Sequence, residues 1–158
     1  MALHPEPIAP VGVDQDAWSA AVASVRAYCG WHIAPEVTET LTVDGSGTSV
    51  QMLPTLRLVD LISITNAGDV VADPEWSTSG MVRGCWTSRF RGVVAEMRHG
   101  YEEWPTDLVA VIAEMVASGG QARVSQVTSR SHQVSFDLDD AAERQRQTLD
   151  RYRIGILP

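Results

Sequence analysis

The chain has 158 residues, 44% of them hydrophobic and 20% charged, and its 20 acidic residues outnumber 12 basic residues to give a formal net charge of −8. These figures are typical of one folded domain and exclude a disordered chain. They also exclude a protein that wraps DNA tightly, because such a protein carries a basic stripe, whereas here the arginines are dispersed among acids.

No apolar run in the sequence approaches the roughly 20 residues of a membrane-spanning helix. The first residues also lack the basic start and apolar stretch of a secretory signal peptide. We therefore expect no membrane contact and a protein that is made and assembled in the cytoplasm. In that reducing compartment the two cysteines, Cys29 and Cys85, are expected to stay unpaired.

The N-terminal part predicts a leader followed by a helix. Residues 1–13 are rich in proline and lack apolar periodicity, which indicates an extended leader. A helix is predicted from Asp14 to Cys29, because apolar residues recur at helical spacing and Asp14 or Asp16 suits the N-cap. These residues are Trp18, Ala21, Val22 and Val25. Gly30 is placed where a left-handed residue commonly closes a helix.

Residues 36–98 predict a β-rich insertion. Residues 36–43 alternate, with apolar residues and Glu39 on one side and threonines on the other, which is a strand pattern. The sequence Asp-Gly-Ser-Gly at 44–47 then predicts a turn, and a return strand near 49–53 would complete a hairpin. The nearly continuous apolar run at 56–65 predicts a central strand with both faces at least partly covered.

Further turn and strand signals complete one small antiparallel sheet. Residues 66–69 read Asn-Ala-Gly-Asp and predict a second turn. Residues 76–82 and 90–97 predict two more strands on either side of Gly84.

The C-terminal third predicts two more helices. One begins at Pro105 and ends before Gly119, with an apolar stripe along one face. The stripe consists of Leu108, Val111, Ile112, Met115 and Val116. The polar stretch 121–135 predicts a loop or arm, and Asp139 or Asp140 suits the N-cap of a last helix. The predicted fold class is therefore α+β: a small bundle of about three helices, an inserted antiparallel β-region and extended terminal arms, with residues 14–153 as a single domain.

No group of residues predicts catalysis, a cofactor or a metal. The spacing of Cys29 and His32 suits zinc, but the remaining candidates form no second tight pair. Those candidates are Cys85, His4, His99 and His132. The acids Glu102, Glu103 and Asp107 are typical of a helix start, and the 44–47 turn lacks the Gly-Lys-Ser/Thr ending of a phosphate loop. We expect a protein that is not an enzyme and holds no cofactor.

The apolar C-terminal residues 152–158 leave two interpretations open from composition alone. They form either a tail that frays, as chain ends commonly do, or an arm that docks on another subunit.

Several segments carry a more specific signal. Residues 25–35 read VRAYCGWHIAP and residues 38–47 read TETLTVDGSG. Further segments follow in order: LPTLRLV at 53–59, HGY at 99–101, PTDL at 105–108 and LDRYR at 149–153. Together they resemble the head-to-tail adaptor proteins of tailed phages of actinobacteria, over about residues 14–158. The sequence departs from that pattern at Ser118–Gln126, where the resemblance predicts a longer helix.

The resemblance implies a connector subunit that assembles into a ring, commonly of twelve copies, beneath the portal of a virion. Its partners would be the portal protein, neighbouring copies, a stopper or tail-side connector protein, and double-stranded DNA that passes through the lumen without specific binding. The residues expected to contact a partner are Tyr152, Arg153, Ile154, Ile156 and Leu157, with residues 154–158 as a C-terminal arm. The alternatives are another connector component, such as a stopper or tail-completion protein, and a small ligand-binding domain.

Overall fold

The structure, a computed structural model, describes residues 8–119 and 136–155. Its helices are α1 (Gln15–Cys29), α2 (Thr106–Ala117) and α3 (Phe136–Asp150). Its strands are β1 (Val37–Val43), β2 (Val50–Met52), β3 (Leu58–Asn66), β4 (Asp69–Val70), β5 (Glu75–Trp76), β6 (Met81–Arg83) and β7 (Val93–His99). This confirms the predicted α+β class. None of these helices is long and apolar enough to cross a membrane.

The chain divides into two compact units. The β unit is Gly30–Trp104 together with the described residues Ile154 and Gly155. The helical unit combines the described residues up to Cys29 with the described part of Pro105–Arg153.

The helical unit is built on the facing apolar stripes of α1 and α2. Of the two predicted N-caps, Asp14 is the one used, because its carboxylate accepts the Ala17 N–H at 2.8 Å. The helix ends at Gly30 with a left-handed φ of +81°, as predicted. Its buried residues are Trp18, Ala21, Val22, Val25 and Cys29. α2 buries Leu108, Val111 and Ile112, and it contacts both other helices. The apolar spacing in the sequence therefore located both core helices.

α3 is a polar helix with a thin contact face. From residue 141 onward it has no fully buried side chain, and only four are half-buried. They are Ala141, Gln145, Thr148 and Leu149. The predicted start at Asp139 or Asp140 is wrong, since α3 already begins at Phe136. Acids favour the whole first turn of a helix through its dipole, so they do not mark its first residue. The predicted loop at 121–135 lies outside the described residues.

The β unit contains two antiparallel sheets instead of one. The first has the strand order β1-β7-β3-β4, and the second has the order β2-β6-β5. The predicted hairpin of β1 with a return strand is wrong, because β1 pairs with β7 and β2 pairs with β6. The predicted strand at 76–82 is likewise two short strands, β5 and β6, which pair with each other.

The segment after β1 crosses from one sheet to the other. The Gly45 N–H donates to the Arg89 carbonyl at 2.9 Å and the Gly47 N–H to the Thr87 carbonyl at 3.0 Å. Gln51 is buried, and its amide accepts the Ser46 N–H at 2.9 Å. A Cβ at Gly45 would lie 1.9 Å from the Thr87 carbonyl oxygen, so only glycine fits there. These contacts with a distant segment outweigh the local tendency to form a hairpin.

The turn between β3 and β4 is as predicted. Ala67 and Gly68 occupy its two central positions with φ of +55° and +99°, the signs of a type I′ hairpin turn. β7 begins at Val93, three residues after the predicted start, and Phe90 is left outside the strand.

Two bulges explain the continuous apolar run of β3. Its pairing with β7 skips one residue between Leu58 and Asp60 and another between Leu61 and Ser63. Leu58, Leu61 and Ile64 therefore share the buried face at a spacing of three, whereas Ile62 is 50% exposed. The expectation that both faces of this strand are at least partly covered holds at Val59, which is half-buried, and is wrong at Ile62, where the second bulge turns the side chain to the exposed face.

The core of the β unit forms from side chains of both sheets. Leu53, Val82 and Trp86 pack with the buried residues of β3 and β7. The Trp86 indole N–H donates to the Val82 carbonyl at 3.0 Å, so the ring is buried without leaving its polar group unpaired. The threonines of β1 lie on the opposite, exposed side, as the alternation predicted.

Candidate partner-contact site

The predicted partner-contact residues lie at the end of α3 and beyond it. Tyr152 is half-buried, Arg153 is exposed and Ile154 is half-buried. Ile156 and Leu157 lie outside the described residues. The structure thus gives contacts for Tyr152 and Arg153 within the helical unit, and a contact of these residues with another subunit stays a prediction.

Tyr152 joins the end of α3 to the start of α2. Its hydroxyl donates to the Asp107 carboxylate, at 2.9 Å from one oxygen and 3.1 Å from the other. Asp107 also accepts the N–H of Leu108 at 2.9 Å, and the Arg151 guanidinium lies 4.0 Å away. Asp107 was considered as part of an acidic cluster at a helix start, and the structure gives it this joining role.

Arg153 and the last turn of α3 contact the end of α1. The Arg153 guanidinium lies 5.2 Å from the centre of the Tyr28 ring, within cation–π distance. The Tyr28 hydroxyl donates to Asp150 at 2.7 Å. The direction in which the chain leaves α3 is therefore set by contacts with both other helices.

Cys29 lies in an environment that suits packing and not reactivity. Its thiol lies 3.7 Å from the Leu149 carbonyl, and burial, assisted by the nearby Asp150 carboxylate, raises the pKa of Cys29 to about 11. Such a thiol stays protonated at neutral pH, so it is a poor metal ligand and a poor nucleophile. Cys29 and Cys85 are both free thiols.

The other residues considered for chemistry also have structural contacts. The His32 Nε2 pairs with the Pro35 carbonyl, and the His99 Nε2 lies 2.7 Å from Glu39. Asp44 accepts the Arg91 N–H at 2.7 Å. Within residues 8–119 and 136–155, no three His, Cys, Asp or Glu side chains gather as a metal site would require. His4 and His132 lie outside the described residues.

The most specific segment of the resemblance contributes mainly to packing. Trp31, His32 and Ile33 are buried in the β unit. The Trp31 ring lies 6.2 Å from the Tyr101 ring, and the Tyr101 N–H donates to the Ile33 carbonyl at 2.7 Å. These contacts join the first residues of the β unit to Tyr101 near its end. The three side chains are buried, so they are not available to bind a partner.

Removing the Tyr152 hydroxyl is expected to destabilise the protein modestly. Tyr152→Phe loses a half-buried hydrogen bond to a carboxylate, which we expect to lower the free energy of unfolding by about 1 kcal/mol. Tyr28→Phe is the matched control, since its hydroxyl pairs with Asp150 at an exposed site and its loss should cost about half as much. Urea denaturation measures both, and equal costs would contradict the joining role of Tyr152.

Sequence reasoning missed a groove between α2 and α3. The groove is open to solvent, has a volume of about 640 Å³, and has alanine as the commonest residue of its lining. We call it the alanine groove: its walls include Ala110, Ala113, Ala117 and Ala141, and its polar lining includes Asp107 and Glu114. Arg144 and Gln145 also line it, and Gln145 donates to Glu114. The signal in the sequence was a row of alanines at helical spacing in α2, which alone does not specify a groove.

A second missed surface is the turn before β7. Arg89, Phe90 and Arg91 are all exposed, and Phe90 is 88% exposed. We call these three residues the Arg-Phe-Arg tip. The pattern of an aromatic residue between two arginines was visible in the sequence, but Phe90 was interpreted there as the first residue of a strand.

Comparisons with known proteins show a shared fold. No protein-family model matches the chain, and no curated protein matches it in sequence. A chain in the neck of a native GTA particle, computed with C12 symmetry, is similar with a TM-score of 0.53 and 15% identity, covering 90% of this chain and 83% of that chain. A chain in the virion of a native gene transfer agent particle is similar with a TM-score of 0.53 and 16% identity, covering 96% of this chain and 84% of that chain. At these identities the likeness establishes the fold that this chain shares with them.

Proposed function

We propose that this chain is a structural subunit of a virion, an adaptor of the head–tail connector that forms a ring below the portal. The observation that carries the proposal is the likeness in fold to chains of a particle neck and a virion, which extends over 90% and 96% of this chain. The sequence segments that resemble head-to-tail adaptors point to the same role independently.

A ring is the assembly that the surface of the chain supports best. The similar neck was computed with twelvefold symmetry, and identical copies joined head to tail close into rings. This chain carries an exposed Arg-Phe-Arg tip and an open alanine groove, two different surfaces of the kind that a head-to-tail contact needs. In the proposed ring the partners are neighbouring copies, the portal protein on one side and a stopper or tail-side connector protein on the other.

DNA would pass through such a ring without being held. The net charge of −8 disfavours attachment to phosphates, and an acidic lumen lets a duplex slide. The proposed function requires no catalytic group and no cofactor. Cys29, His32, His99 and Asp107 make contacts within the protein, which fits a structural role.

Deleting the gene in its phage or transfer-agent genome tests the proposal. We expect heads that package DNA but are not joined to tails, with joining restored by the wild-type gene. Tailed, infectious particles made without the protein would refute a connector role. Cryo-electron microscopy of wild-type particles then gives the layer: density directly below the portal supports an adaptor, and density one layer further toward the tail assigns a stopper or tail-completion protein instead.

A further inference from the structure

The Arg-Phe-Arg tip is an exposed aromatic side chain on a well-braced turn. The Arg89 carbonyl accepts N–H groups from Gly45 at 2.9 Å and Gly92 at 3.2 Å, and the Arg91 N–H donates to Asp44 at 2.7 Å. The backbone of the tip is therefore tied to the segment after β1. A large aromatic side chain that is 88% exposed on a braced turn is held in place and is well suited to insertion into a partner.

The Arg-Phe-Arg tip is positively charged, whereas the chain as a whole is negatively charged. The guanidinium groups of Arg89 and Arg91 form no ion pair with any side chain in the described part of the chain. They stand on either side of Phe90 in a protein with a net charge of −8. The tip therefore fits a partner that offers an apolar slot flanked by carboxylates.

The alanine groove offers that chemistry. Ala110, Ala113 and Ala117 give it a wall of methyl groups. Asp107 and Glu114 contribute carboxylates, which accept hydrogen bonds from Tyr152 and Gln145 within the chain and keep further lone pairs for an arginine. The groove is open to solvent, and its volume of about 640 Å³ leaves room for a phenyl ring. Arg144 lies on the α3 side of the groove, so the acidic character belongs to the α2 side.

We propose that the Arg-Phe-Arg tip of one copy inserts into the alanine groove of a second copy, with Phe90 against the alanine wall and the two arginines near Asp107 and Glu114. The inference rests on the proposed function in that it supplies the contact between ring neighbours. A second copy fits better than DNA, because a phenyl ring gains nothing from a phosphate backbone, whereas the groove supplies both an apolar wall and acids. Each copy carries one tip and one groove, so a closed ring uses every tip and every groove once.

Disulfide trapping between purified full-length chains tests this contact. In a Cys85→Ser background, one chain carries Phe90→Cys and a second, of different mass through a tag, carries Ala113→Cys. Both positions are exposed, so both substitutions should fold, and buried Cys29 is present in every sample. Mild oxidation at high protein concentration should give a mixed dimer of the two chains. A chain that carries both substitutions should give a ladder of covalent multimers.

The matched control replaces Phe90→Cys by Val70→Cys, which lies in the same β unit and is 77% exposed in the wild-type chain. We expect at least about tenfold less mixed dimer from the control pair. Phe90→Ala leaves every core residue in place. It should weaken self-association, so that the dissociation constant measured by analytical ultracentrifugation rises about tenfold. Loss of association with the circular dichroism spectrum unchanged would support the proposal.

Several results would overturn the inference. They are an equal yield from the control pair, no mixed dimer at all, or a Phe90→Cys chain that links mainly to itself. Phe90→Ala could also weaken DNA binding in a mobility-shift assay while leaving self-association unchanged. That result would assign the tip to DNA instead. The proposed function is tested separately: wild-type protein seen at the vertex without this contact refutes only the inference, and wild-type protein absent from the vertex refutes the proposed function.

Discussion

Under the proposed adaptor role, removal of residues 154–158 is expected to leave the purified protein folded and to abolish its retention at the portal vertex. The last contacts that the structure shows between the C-terminal segment and the helical unit are those of Tyr152 and Arg153, and the truncation keeps both. Ile154 is half-buried, so its loss should shift the melting midpoint only slightly. The expected defect is therefore in assembly.

The size of the assembly defect follows from the side chains removed. Fully burying an isoleucine or leucine against a partner contributes roughly 1.5 to 3 kcal/mol, and each subunit would contribute Ile154, Ile156 and Leu157. Repeated around the proposed ring, the loss would be large enough to detach the subunit from the vertex. Heads made with the truncated chain should lack it in immunoblots of purified particles, whereas circular dichroism and thermal melting should match those of the wild type.

A full-length control separates chain length from apolar contact. The double variant Ile156→Ser, Leu157→Ser keeps the length of the arm. Like the truncated chain, it should not be retained at the portal vertex. Unfolding of the isolated truncated chain would show that these residues belong to the protein's own core and would contradict an arm. Normal retention of the truncated chain would contradict the contact assignment of the arm residues.

Ile64→Ala is expected to destabilise the protein strongly, whereas Ile62→Ala two residues away should be nearly neutral. Ile64 is 1% exposed in the core between the two sheets, and truncation of such a side chain costs about 2 to 5 kcal/mol through lost burial and the cavity left behind. Ile62 is 50% exposed at the second bulge, so its truncation should cost less than about 1 kcal/mol.

Urea denaturation measures the free energy of unfolding of both variants, and Leu61→Ala is a second buried control on the same strand. Regular alternation along β3 would place Ile62 and Ile64 on the same face and predict similar costs. A much larger loss of unfolding free energy for Ile64→Ala than for Ile62→Ala is therefore the result expected from the bulge. Similar costs for Ile62→Ala and Ile64→Ala would show that the bulged register is wrong.

The contact residues were predicted from the sequence, whereas the alanine groove and the Arg-Phe-Arg tip were found only in the structure. Tyr152 and Arg153 belong to a segment that resembles known adaptors, and their contacts with Asp107 and Tyr28 became visible only in the folded helical unit. The alanine groove and the Arg-Phe-Arg tip need side chains whose exposure depends on distant segments. Phe90 could not be predicted to be exposed, because that depends on where β7 begins.

The sequence by itself determined the elements whose ends are set by neighbouring residues. Asp14 and Gly30 bound α1, Gly119 follows α2 with a φ of +73°, and Ala67-Gly68 makes a turn, because capping and left-handed backbone are local properties. Only the tertiary structure decided which strands pair. β1 meets β7 more than 45 residues further along the chain, since Gly45 can approach Thr87 and Gln51 can hold the crossing segment. Pairing between distant strands depends on such contacts, which a periodic pattern of apolar residues does not encode.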